Sequence, residues 1–118
     1  MASLLVHLAT GPENSTRAAL ALLVARTAAE EGHDVQVFLA GDAVQLARRE
    51  TAEAVQGAGT GNAAEHWDAL TAAGVPIFLS GMSSKARGVD VAAMDGIEPA
   101  QPQKLVELAT QADTTLTY

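Results

Sequence analysis

The residues best equipped for chemistry fall in one run, Ser80-Gly81-Met82-Ser83-Ser84-Lys85-Ala86-Arg87-Gly88. Three hydroxyls, two cations and a pliable backbone suit the holding of a small anion. The same run also reads as a capped strand-to-helix turn whose serines satisfy their own backbone. A second run, Ala9-Thr10-Gly11-Pro12-Glu13-Asn14-Ser15-Thr16, follows the first apolar stretch. Its hydroxyls, with the N–H groups of the helix behind them, suit a phosphate. Glu13 opposes that by placing a negative charge in the loop, and large rings to sandwich a flavin are scarce.

Nucleophilic chemistry has little to work with. The chain has no cysteine, which excludes disulfides, thiolate catalysis and Cys-ligated zinc. A serine nucleophile needs a base and an orienting partner. Gly81-Met82-Ser83-Ser84-Lys85 misses the second glycine of a G-x-S-x-G elbow, and no S-x-x-K occurs. His7, inside the first apolar run, reads as a core or interface residue. His7, His33 and His66 are widely spaced and form no H-x-H or H-E-x-x-H pattern, so no metal site is expected. Glu65 and Asp68 share one helical face at i, i+3 and read as solvated. Trp67, the only tryptophan, reads as a helix–sheet or subunit contact.

The elements that position these residues alternate in type. Leu4 to Leu8 has the length and bounded ends of a buried strand. A helix is expected from about Asn14 to Glu31, with Gly32 as its left-handed cap. Its start is open: Thr10-x-x-Glu13 forms one capping box, and Asn14 or Ser15 caps one turn later. Val35 to Ala40 reads as the second strand, and Asp42 as the cap of a helix through Ala47. Gly57, Gly59 and Gly61 mark a mobile loop, read as a linker rather than a nucleotide loop because no apolar strand precedes them. Asn62-x-x-Glu65 opens a helix to Ala73, capped by Gly74. Val75 to Leu79 is the third strand. A short helical turn follows over Lys85 to Arg87, and a further short element is placed within Val89 to Ala93. Pro99 and Pro102 introduce a last helix, about Gln103 to Ala112, before a β-branched strand from Thr114 to Tyr118.

Strand–helix alternation implies parallel strands joined by right-handed crossovers. The expectation is one domain, residues 1–118, of α/β class. It is a three-layer sandwich with a mostly parallel sheet of four or five strands, flavodoxin-like in build. Ligands in such sheets gather beyond the carboxyl ends of the strands. The loops there are His7 to Ser15, Gly41-Asp42, and Ser80 to Arg87.

Composition narrows the partners. The 118 residues are 48% hydrophobic but only 3% aromatic, and 25 are alanine. The core must rest on Leu, Val and close Ala-mediated packing, each small side chain burying little area. Self-association suits such a chain. A net charge of −7 repels a phosphate backbone, so no nucleic-acid partner is expected. The first apolar run is too short for a membrane span and lacks the basic lead of a secretory signal. No membrane association is expected, and a cytoplasmic location is.

Gly74-Val75-Pro76-Ile77-Phe78-Leu79-Ser80-Gly81-Met82-Ser83-Ser84-Lys85-Ala86-Arg87-Gly88 resembles the signature region of the DsrE/DsrF-like sulfur-relay family. Phe38-Leu39-Ala40-Gly41-Asp42-Ala43-Val44 resembles that family's second strand and turn, and the closing helix and strand also fit. The resemblance covers essentially the whole chain. It implies the same α/β fold and a homo-oligomer, trimer or hexamer, with the Ser80 loop near a subunit boundary. Sulfur-moving members place a cysteine eight or five residues before the glycine matching Gly88, positions held here by Ser80 and Ser83. A hydroxyl cannot hold a sulfane sulfur and is a poor nucleophile unaided. The expected function is a non-catalytic small-anion-binding or assembly subunit, without cofactor, that meets an anion or a sulfur-relay protein near Ser80, Ser83, Lys85 and Arg87. Thr10, Asn14, Gly81 and Ser84 complete the ligand-binding candidates, Thr10 and Asn14 serving with Ser80 if the chain is an enzyme. The alternative is a small-molecule enzyme, or a flavin- or phosphate-binding protein, using the loops after strands one and three.

Overall fold

A computed structural model describes Met1–Tyr118. Five strands form one sheet: β1 (Ser3–Leu8), β2 (Asp34–Leu39), β5 (Ile77–Ser80), β6 (Ile97–Ala100) and β7 (Thr114–Thr117). Their order is β6-β5-β2-β1-β7, and every pairing is parallel. The helices are α1 (Ser15–Glu30), α2 (Arg49–Ala54), α3 (Ala63–Ala72), α4 (Gly81–Ala86) and α5 (Pro102–Gln111). The expected class and parallel sheet are therefore present.

The two faces of the sheet are covered unequally. Alternation along β1 and β2 sends Val6, Leu8, Val37 and Leu39 to one side, against Ala18, Ala21, Leu22 and Ala25 of α1 and Leu70 of α3. Alanines at this contact let helix and sheet approach closely. Leu5, Phe38 and Phe78 turn to the other side, where α5 lays down Leu108. Phe38 and Phe78 stack at 6.5 Å, and the Lys104 ammonium stands 5.4 Å from the Phe78 ring.

Several local expectations give way to tertiary context. Ile97–Ala100 is a strand, although Pro99 reads as a helix introduction. It sits at the sheet edge, where a proline lacking an N–H is tolerated. Residues Gly41–Ala47 form a 3-10 helix, and Asp42 does not cap it. Its carboxylate instead faces Arg87 and Gln45. The helix after β5 begins at Gly81, earlier than the turn expected at Lys85.

The Gly57 to Gly61 run is an ordered hairpin of β3 (Gln56–Gly57) and β4 (Gly61–Asn62), not a free linker. Thr16 pins it, accepting from Ala58 N at 3.0 Å through its hydroxyl and from the Thr60 hydroxyl at 3.1 Å through its carbonyl. The buried His66 Nε2 lies 2.7 Å from Thr60 O.

Candidate functional site

The loops after β1, β2 and β5 meet at the carboxyl rim of the sheet, and each holds the next. Gly11 packs so tightly on the following loop that a Cβ there would sit 2.1 Å from Asp42 O. Only glycine fits. Gly41 N then donates to Ser83 Oγ at 2.9 Å, tying the β2 loop to α4.

Within the β5 loop the polar groups are turned on one another. Ser80 is the N-cap of α4, its hydroxyl accepting from Ser83 N at 3.1 Å. Arg87 Nε donates to Asp42 Oδ1 at 3.0 Å, and Arg87 Nη1 to Ser83 O at 3.2 Å. Arg48 reaches across to the Arg87 carbonyl at 2.9 Å. Ser84 is buried, and its hydroxyl has no hydrogen-bond partner. Gly81 abuts Gln101 at the start of α5. Lys85 alone in this loop is an exposed cation with no acidic partner.

Thr10 and Asn14 take no part in these hydrogen bonds. Thr10 is half-buried past the end of β1. Asn14 caps α1 by accepting from Arg17 N at 3.1 Å, which settles the capping choice in its favour. Glu13 turns back to accept from Gly11 N at 2.8 Å. Asn14 also lines a crevice of about 570 Å³ with Thr16, Arg17, Leu20, Thr117 and Tyr118. No cavity is shared between the Ser80 loop and the β1 loop. The structure thus joins Ser80, Gly81, Ser83 and Arg87 with Asp42, and leaves Asn14 in a separate crevice.

A profile of the DsrE/DsrF-like family matches residues 2–118. The chain belongs to the DsrE/DsrF-like family. Among solved structures, the ychN protein of E. coli superposes with a TM-score of 0.82 at 26% identity, over 100% of both chains. The conserved protein of unknown function BT1422 of Bacteroides thetaiotaomicron gives 0.72 at 16% identity, covering 98% of this chain and 94% of its own. At that identity it speaks for the fold alone. A search of curated proteins returns no match.

This member carries hydroxyls at Ser80 and Ser83 in the loop, and no cysteine stands anywhere in the chain. No three His, Asp or Glu side chains converge in a group able to hold a metal ion. No helix is long and apolar enough to cross a membrane. Beside the loop, Met82, Pro102 and Val106 line an apolar surface cavity of about 530 Å³, with Met82 64% and Val106 62% exposed.

His7 lies on β1 beside Phe38, ring centroids 6.1 Å apart. Partial burial holds its pKa below the ordinary 6.5. The side-chain hydrogen bonds that involve histidine belong to His33 and His66, and His7 makes none.

Proposed function

We propose that this chain is a non-catalytic, homo-oligomeric assembly subunit of the DsrE/DsrF-like type, acting in the cytoplasm. The observation that carries the reading is the state of the two signature oxygens. Ser80 Oγ caps α4 and Ser83 Oγ braces Gly41, so both act as acceptors for backbone N–H groups. Neither hydroxyl is hydrogen-bonded to a base, and an unactivated hydroxyl is a weak nucleophile. The loop that carries chemistry in sulfur-moving relatives serves here to tie the β2 loop to α4.

A locked loop presents a firm surface. Exposed Met82 and Val106 flank Pro102 beside it, which suits contact with another subunit. A trimer or hexamer agrees with a core short of large side chains. Small-anion binding at the same loop would fall mainly to Lys85, because Arg87 is already paired with Asp42. The enzyme alternative finds less support, since a pocket spanning the loops after β1 and β5 is not formed.

Light scattering at micromolar concentration tests the reading. The expected mass is a multiple of 12.1 kDa for the native chain, falling towards a single chain in Met82→Asp. A native monomer refutes it.

A further inference from the structure

We propose that the crevice between the first turn of α1 and the end of β7 is a binding site for a small organic carboxylate, with Arg17 as its counter-ion. It goes beyond the assembly reading and uses none of the residues of the Ser80 loop.

The topology of the sheet supplies the place. From β1 the chain moves outward through β2, β5 and β6, and α5 then carries it back to β7 on the other side of β1. The helix after β1 packs on one face and the helix before β7 on the opposite face. The carboxyl ends of β1 and β7 therefore flank the point where strand order reverses. Open α/β sheets bind their ligands in the crevice at such a point. The crevice of about 570 Å³ found there is within the size range of small-molecule sites.

The lining supplies the chemistry. Of the seven basic residues, five engage a carboxylate or a backbone carbonyl through their side chains. Arg17 and Lys85 do not, and only Arg17 lines a cavity. The nearest acid in sequence, Glu13, is turned to Gly11 N and leaves the Arg17 guanidinium uncompensated. The helix's own amide at Arg17 is taken by Asn14 Oδ1, so recognition falls on side chains. Asn14 Nδ2, the Thr117 hydroxyl and the Tyr118 phenol add donors that make no hydrogen bond within the chain.

An unpaired cation among unpaired donors favours an anion. A guanidinium fork matches the two oxygens of a carboxylate, and one cation balances one negative charge. A doubly charged phosphate would leave surplus negative charge on a chain already at −7. Leu20 and the Tyr118 ring give the ligand's body an apolar wall.

Benzoate is the probe, followed by backbone amide NMR at low ionic strength, with benzyl alcohol and inorganic sulfate as controls. The expected result is a saturable shift of the Thr16, Arg17, Thr117 and Tyr118 amides by benzoate, with both controls weaker. Arg17→Gln should weaken benzoate by at least about tenfold, and Arg17→Lys by less, since it keeps the charge and loses the fork. Arg17 is exposed, so neither variant threatens folding. Equal affinity in Arg17→Gln, a sulfate effect matching benzoate, shifts confined to Ser80–Arg87, or no saturation would each overturn the site. None of these outcomes bears on the oligomeric mass, so the two proposals fail separately.

Discussion

The hydroxyls of Ser80 and Ser83 set what the rim can do, because they accept backbone hydrogen bonds that a thiol would accept only weakly. Ser84, next in line, shows the opposite case. Its hydroxyl is buried without a partner, and such a group costs stability. Ser84→Ala should be neutral or raise stability by up to about 1 kcal/mol in urea unfolding. A loss of that size would mean the hydroxyl is bonded after all. His7 sets a pH dependence. Burial lowers its folded pKa beneath 6.5, so the unfolded chain takes up the proton first. Stability from this group is complete above 6.5 and is lost as pH falls through the depressed folded value. His7→Gln should flatten that part of the stability–pH curve, and an unchanged slope would remove His7 as its source.

At the scale of elements, the glycine-rich hairpin is the segment whose order depends most on its neighbours. Gly61 has φ +79° and packs where a Cβ would lie 2.8 Å from His66 Nε2. Gly61→Ala should therefore cost about 1–3 kcal/mol, combining left-handed strain with displacement of His66. Hydrogen exchange would show the loss first at Ala58, whose amide Thr16 holds, and a silent variant would contradict the pinning. This hairpin was legible as a glycine run but not as structure, because its order comes from Thr16, distant in sequence, together with the buried ring of His66. The strands with continuous apolar runs, β1, β2 and β5, could be read directly, as could α1, where Asn14 and Gly32 mark both ends. β6 could not, since its four residues include Pro99 and Glu98 and only pairing with β5 makes them a strand. The Ser80 loop was visible by composition. The crevice of Arg17, Thr117 and Tyr118 was not, because it exists only once β7 is known to lie beside β1.

The whole molecule joins a firm rim to a thinly covered second face. One face of the sheet carries α1 and α3 with a core of 20 buried residues, while the other has α5 and a cluster of only five. Subunit contact near Met82 and Val106 would extend the smaller cluster's side of the molecule, which is why Met82→Asp is expected to lower the oligomeric mass. The same charge in an exposed position of a monomer would change little. Size and charge play different parts here. Few large side chains favour association, and a net charge of −7 favours an apolar contact over one that brings like charges together.

The claim on which the rest depends is that the rim serines are braces. Urea unfolding of Ser83→Ala measures it most directly, because the variant leaves Gly41 N without its acceptor. A fall of about 1–2 kcal/mol is expected. Unaltered stability would contradict the account.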